Sequence, residues 1–305
     1  MSSMNGDELD LVRWLSATAV RRSNTEQGIG DDMAVLKGLS SPILVAADML
    51  LDGVHFQSEE HAPRDIGRKA LACNLSDCAA MAVRPVAACV SIALSPRQST
   101  QCAQDIMAGA IDLGERFGVD IVGGDTNRWP HPLVIDVSIV AEAFPGIRPV
   151  LRRGARPGDS LYVTGPLGGS LSGKHLTFEP RVGEAERLAR GLGDRLHAMM
   201  DISDGLSLDL WRLCDASGVG AELRSQWLQP ILSDSAVAMS RQDDRTPLDH
   251  ALHDGEDFEL LFASEGDAGT CGVDVWRIGT VTESGLHLWN DQGKREPLVP
   301  KGWVH

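Results

Sequence analysis

The residues with the most chemical potential in this chain are aspartates set in short strings flanked by glycine or serine. Asp31 and Asp32 follow Gly30, Asp48 closes the apolar run Ile43–Ala47, and Asp52 stands four positions on. Asp77 ends Asn74-Leu75-Ser76-Asp77, Asp125 follows Gly123-Gly124, and Asp201 and Asp204 frame Asp201-Ile202-Ser203-Asp204-Gly205. Glu256 and Asp257 lie in Asp254-Gly255-Glu256-Asp257-Phe258-Glu259. Singly, each has an ordinary reading: an Asp beside Gly is a common turn residue, and Ser203 or Asp204 can cap a helix starting at Leu206. As a set they ask for more. Carboxylates gathered in a partly dry site repel one another, and each buried charge is costly unless compensated. Divalent cations supply that compensation, and all-oxygen ligation points to Mg²⁺ or Mn²⁺ over zinc. Bound metal would let a chain of formal net charge −15 hold ATP. Phosphoryl transfer then needs mainly positioning and charge neutralisation around an in-line transition state.

Two glycine motifs point elsewhere and fail on inspection. Gly168-Gly169-Ser170-Leu171-Ser172-Gly173-Lys174 matches a phosphate-binding loop as far as the lysine, but His175 stands where a Ser or Thr hydroxyl must hold Mg²⁺. A glycine-rich surface loop is expected there. Gly28-Ile29-Gly30 lacks the third glycine of a dinucleotide fingerprint, because Met33 occupies that position.

The elements that must position these residues follow from periodicity. Helices are expected over Asp7–Val20, Pro63–Met81, Thr100–Phe117, Gly183–Ala198 and Leu206–Ala216. Strands are expected at Ile43–Ala47, Ala87–Leu94, Asp120–Val122, Leu133–Ala143 and Leu161–Thr164, with a strand-rich tail over Val273–Leu288. Interleaved strands and helices imply α/β or α+β layers. With 305 residues the chain exceeds what one core usually spans. The Pro-, Gly- and Arg-rich stretch Pro145–Gly158 is the natural boundary, giving domains over 1–147 and 148–305.

Charge and composition narrow the partners. A net charge of −15 argues against a nucleic-acid binder. The longest apolar run, Val86–Leu94, is far below the ~18–20 residues of a membrane span, and the polar, acidic N-terminus lacks the layout of a secretory signal. None of the six cysteines forms a C-x-x-C pair, so buried free thiols in a reducing cytoplasm are expected.

In this order the motifs resemble the thiamine-monophosphate kinase family, within the PurM-like superfamily of aminoimidazole ribonucleotide synthetase. The resemblance is carried by GIGDDMAVL at Gly28, AADMLLDGVHF at Ala46, RKALACNLSDCAAMAVRP at Arg68 and VGGDT at Val122. It continues with LRRGARPGDSLYVTG at Leu151, MDISDGLSLDL at Met200 and DGEDFEL at Asp254. It implies a two-domain PurM-like α/β (α+β) fold, with an N-terminal, ATP- and Mg-binding domain whose sheet forms a barrel across a homodimer and a C-terminal α/β domain. It also implies transfer of the γ-phosphate of ATP onto thiamine monophosphate, giving thiamine diphosphate, with several Mg²⁺ ions and no side-chain nucleophile.

Carried over by motif, Asp32, Asp48, Asp77, Asp125, Asp201 and Asp204 would ligate Mg²⁺. Gly124, Asp125, Arg152 and Ser203 would contact ATP, and His55, Glu256 and Trp303 would hold the thiamine moiety. The chemistry is apt: an aromatic face and a carboxylate both attract the thiazolium cation, and a guanidinium suits phosphate. The sequence departs from the family pattern at Ala46-Ala47, where a hydroxyl residue usually precedes the strand aspartate. Two other classes stay open: another PurM-like ATP-dependent enzyme, of the hydrogenase-maturation or purine-synthetase type, and a nucleotide- and Mg-binding protein without turnover.

Overall fold

The computed structural model describes residues 43–303 and, before them, Trp14, Thr18, Gly38 and two short strands, β1 (Thr25–Gln27) and β2 (Val35–Leu36). Apart from Trp14 and Thr18, both helical, the expected first helix lies outside the described residues, as do the Gly28–Asp32 turn and Asp32 itself. The chain divides into two compact units, Met1–Leu75 with Arg84–Ala143, and Ser76–Val83 with Phe144–His305.

The first unit is built from β3 (Ile43–Leu51), α1 (Pro63–Ala80), whose last turns from Ser76 fall in the second unit, β4 (Val83–Leu94), α2 (Thr100–Phe117), β5 (Asp120–Gly123), β6 (Thr126–Arg128) and β7 (Val134–Ala143). The sheet order is β3-β7-β4-β5, with β6 pairing β4. β3 runs on to Leu51 rather than ending at Ala47, because its antiparallel pairing with β7 is unbroken from Ile43 opposite Glu142 to Leu51 opposite Val134. Asp48 is therefore a mid-strand residue, opposite Val137. β4 and β5 are parallel, and α2 is their crossover. Ser99 caps α2 by accepting from the Cys102 amide, and Gly118, at φ 74°, ends it. The two helices touch backbone to backbone. A Cβ on Gly67 would lie 1.8 Å from the Ile106 carbonyl oxygen, and one on Gly109 would lie 1.8 Å from that of Arg64.

The second unit contains β8 (Ser160–Val163), α3 (Lys174–Thr177), α4 (Val182–Leu192), β9 (Leu196–Asp201), α5 (Leu206–Ser217), β10 (Gly220–Arg224) and α6 (Ser225–Leu228). It continues with α7 (Asp234–Met239), α8 (Pro247–His253), β11 (Leu260–Ser264), β12 (Trp276–Thr282), β13 (Leu286–Trp289) and β14 (Arg295–Pro297). Seven strands form one sheet in the order β14-β13-β10-β12-β8-β11-β9. Its core gathers Leu161, Val163, Met200, Leu261 and Ile278 from the strands with Leu206, Leu210 and Leu213 from α5. The helix expected over Gly183–Ala198 stops at Leu192. Gly193, at φ 56°, breaks it, and the apolar residues that follow become β9, with Ala198 opposite Ala263 and Met200 opposite Leu261.

Among the described residues no helix is long and apolar enough to cross a membrane. None of the six cysteines is bridged in a disulfide. Cys78 and Cys214 are buried as expected, but Cys73, Cys102 and Cys271 are only half-buried and Cys89 is exposed, on the outward phase of β4.

Candidate functional site

In the first unit the Val122-Gly-Gly-Asp125 string leaves the end of β5. Gly124 adopts φ 151°, and a Cβ there would lie 1.8 Å from the Val90 carbonyl oxygen, so only glycine lets the chain pass β4 so closely. Beyond it the Asp125 carbonyl accepts from the Ile92 amide at 2.8 Å. The exposed Asp125 carboxylate accepts from the Thr126 amide (2.8 Å) and the Asn127 side-chain amide (2.9 Å). Asp48 is half-buried on β3. His55 lies in the turn after β3; its Nδ1 accepts from the Leu51 amide at 2.9 Å, which leaves Nε2 to carry the ring proton of the neutral form. The fully buried Lys69 donates to the His55 carbonyl at 2.6 Å. Asp52 closes the same turn, accepting from both the amide and the hydroxyl of Ser58.

The second unit holds a tighter constellation. Asp201, at the end of β9, is buried and accepts from Ser76 Oγ at 2.6 Å; Ser76 precedes the half-buried Asp77 in the last turns of α1. Burial pushes the Asp201 carboxyl above its usual range, against the Ser76 hydrogen bond and the charge of the exposed Arg152. The turn that follows is organised by a residue that sequence reasoning missed. One oxygen of the fully buried Asp209 accepts from the amides of Ser203 (3.1 Å), Asp204 (2.9 Å) and Gly205 (3.1 Å). The available signal was an aspartate in the first turn of a helix, where unpaired amides gather. Burial and the nearby Asp201 raise the Asp209 carboxyl to about 7. Arg212 bridges Asp204 and Asp209.

The Asp254–Leu260 string docks on this turn. Glu256 donates its amide to the Ser203 carbonyl (2.7 Å), and Phe258 donates to that of Ile202 (2.8 Å). Glu256 and Phe258 both sit at positive φ, 58° and 51°, which costs non-glycine residues ~1–2 kcal/mol each. The Phe258 ring stacks on Phe178 with centroids 4.0 Å apart, one of the contacts that offsets this strain. Trp303 reaches the same turn through its amide, 2.9 Å from the Asp204 carbonyl.

The glycine-rich segment Gly168–Lys174 is no phosphate cradle, and it is the expected surface loop only in part, since Leu171 and Ser172 are exposed. Gly168, Gly169 and Ser170 are buried. The Gly168 amide and the Ser170 hydroxyl donate to Asp257, and the Gly169 amide donates to Asp254. Lys174 donates to Glu259 at 2.9 Å, beside Arg181 at 2.8 Å and Thr164 Oγ1 at 2.9 Å. Burial alone would raise the Glu259 carboxyl; Arg181 and Lys174 outweigh it and hold the group below its ordinary value. Asp257 has no such direct cation among the described residues, and burial lifts it to about 7.

Thus Ser203, Asp204, Glu256 and Trp303 are joined by direct hydrogen bonds within the second unit or through the Ser203–Gly205 amide cradle at Asp209. Asp201 opens the same turn, with Asp77 adjoining through Ser76. Asp48, His55, Gly124 and Asp125 belong to the first unit. Among the described residues no three His, Cys, Asp or Glu side chains converge in a geometry that would hold a metal ion.

Comparison with known proteins gives this arrangement a lineage. Residues 30–143 match the family model of AIR synthase related protein, N-terminal domain. The chain is 43% identical over 293 residues to the thiamine-monophosphate kinase of Rhodopirellula baltica, covering 91% of this chain and 90% of that one. To that of Bacillus subtilis it is 31% identical, covering 98% and 91%. The chain belongs to the thiamine-monophosphate kinase family. Solved structures agree: the thiamine-monophosphate kinase of Stenotrophomonas maltophilia K279a superposes with a TM-score of 0.76 at 29% identity, covering 94% of this chain and 97% of that one. AaThiL complexed with AMPPCP and TMP gives 0.73 at 27%, covering 100% and 99%. The hydrogenase maturation protein HypE of E. coli, at 18% identity and a TM-score of 0.78, shares the fold alone. The mixed α/β architecture with two sheets is the PurM-like fold expected from the motifs. Within this thiamine-monophosphate kinase family member, the backbone of the string at Asp254 is hydrogen-bonded to those of the strings at Met200 and Leu151.

Proposed function

We propose that this chain transfers the γ-phosphate of ATP to thiamine monophosphate, giving thiamine diphosphate. The observation that carries the reading is likeness along nearly the whole chain to proteins of that activity: 43% identity over 91% of it. The structure supports it with a turn, Asp201–Gly205, that presents two carboxylates and a serine beside Glu256 and Trp303. The acceptor is an already ionised phosphate, so no protein nucleophile or general base is needed.

The donor set suits Mg²⁺. Asp77, Asp201 and Asp204 offer only oxygens, and among the described residues desolvated Asp201 lacks a direct cationic partner of the kind Glu259 has. Asp77, Asp201 and Asp204, with Asp32, Asp48 and Asp125 from the first unit, are the proposed ligands. Bound Mg²⁺ would neutralise charge on the triphosphate. Gly124, Asp125, Arg152 and Ser203 are proposed to contact ATP. Glu256 and Trp303 would hold the thiazolium cation between a carboxylate and a ring, with His55 as a further thiamine contact.

The same reading proposes domains over 1–147 and 148–305, a cytoplasmic location consistent with six cysteines outside any disulfide, and a homodimer. For the dimer the support is β3, which leaves Ile43, Val45 and Met49 56%, 77% and 57% exposed on one face. Closing two such sheets into a barrel would cover it.

The test is formation of thiamine diphosphate from ATP and thiamine monophosphate by purified protein, with and without Mg²⁺. Turnover that needs Mg²⁺ is expected. ATP binding without product would instead assign a binding protein.

A further inference from the structure

The last described residues cross the start of α5, and one buried hydroxyl meets them. The Lys301 amide donates to Ser207 Oγ at 3.0 Å, and the Lys301 carbonyl accepts from the same oxygen at 2.8 Å. Ser207 is fully buried, and its Oγ also lies 2.9 Å from His253 Nδ1. A serine has one proton to give. With that proton on the Lys301 carbonyl, His253 Nδ1–H is the donor in the remaining contact. The hydroxyl is therefore saturated, with no capacity left for a ligand.

The next tail residue is fitted just as closely. A Cβ on Gly302 would lie 2.1 Å from the Asp204 carbonyl oxygen and 3.1 Å from Leu208 Cβ. Trp303 then donates its amide to that same carbonyl at 2.9 Å. Three consecutive tail residues are thus seated on the Asp204–Leu208 turn. His253, which backs Ser207, ends the helix that leads into Asp254-Gly255-Glu256.

We infer that Ser207 is a positioning residue for recognition of the thiamine substrate: it clamps Lys301 so that Trp303 is held beside Asp204, on the same turn that receives Glu256. This rests on the reading that Trp303 contacts the thiamine moiety. Ser207 itself touches no substrate. Its loss weakens binding of thiamine monophosphate and leaves the transfer step and ATP alone.

Steady-state kinetics of Ser207→Ala, Gly302→Ala, Trp303→Ala and the Ser207→Ala/Trp303→Ala double variant test this, with hydrogen–deuterium exchange of the Lys301, Gly302 and Trp303 amides alongside. Ser207→Ala is expected to raise KM for thiamine monophosphate about tenfold, with kcat and KM for ATP within about twofold of wild type. Exchange in the tail should quicken, and the double variant should be no worse than Trp303→Ala. Gly302→Ala, which pushes the tail off without altering α5, should reproduce the effect and serves alone if Ser207→Ala fails to fold. If Trp303→Ala raises KM but neither Ser207→Ala nor Gly302→Ala does, the clamp is refuted and the role of Trp303 stands. If Trp303→Ala leaves KM unchanged, the substrate role of Trp303 falls and the clamp with it. A drop in kcat, or a parallel rise in KM for ATP, marks Ser207 as merely structural and overturns the inference.

Discussion

A carboxylate taken out of water must find compensation, and the second unit does this in three ways. Glu259 is met by cations, Arg181 and Lys174; Asp209 is met by three amides; Asp201 is met by a serine hydroxyl and, in the reading proposed above, by a bound metal. The difference separates structure from chemistry. Lys174→Ala should leave ATP binding near wild type while lowering stability by ~2–4 kcal/mol, because it removes part of a buried ion cluster; calorimetric titration and urea unfolding check the two halves. Asp77→Asn should do the reverse, abolishing turnover with the melting temperature within a few degrees of wild type. Asp257 gives a pH signature. Its folded value, about 7, lies above the ordinary 3.8, so its contribution to stability is complete at acid pH and is lost as pH rises through about 7. Asp257→Asn mimics the protonated form. Its unfolding free energy relative to wild type should therefore improve between about pH 5 and about pH 8, measured by urea unfolding at each pH.

Helices and strands set how closely these groups can be brought. The α1–α2 crossing depends on glycine, since a methyl on Gly109 would strike the Arg64 carbonyl oxygen. Gly109→Ala should cost on the order of 3 kcal/mol or more, because backbone cannot step aside as a side chain does. Gly118, the cap of α2 at φ 74°, has nothing within 4 Å of its would-be Cβ, so Gly118→Ala should cost only ~1 kcal/mol, for conformation alone. Urea unfolding of the two variants ranks them, and equal losses would refute the close-packing account. Much at this scale was legible. The bounds of α2 coincide with those expected, because a serine cap, an apolar stripe and a terminal glycine are all local signals. The end of the helix after Val182 was not, because Leu196–Met200 suits a helix or a strand equally until β11 is there to pair with it.

For the whole molecule, the exposed apolar face of β3 and the net charge of −15 make separate demands. The first asks for a partner. Val45→Asp should convert a dimer to monomers in sedimentation velocity, and a wild-type protein that already sediments as a monomer would remove the dimer from the proposal. The second asks for cations wherever a triphosphate is to be held, so chelation of Mg²⁺ should weaken ATP binding as well as turnover.

By itself the sequence determined the fold class, the family and most of the long helices and strands, since periodicity, caps and motif strings are properties of neighbouring residues. It did not reveal Asp209 beneath the Ser203–Gly205 amides, the pairing of Glu259 with Lys174 and Arg181, or the grip of Ser207 on Lys301. Those contacts join positions as far as 94 residues apart. A polar residue carries no mark of its partner until tertiary packing removes the water that would otherwise satisfy it.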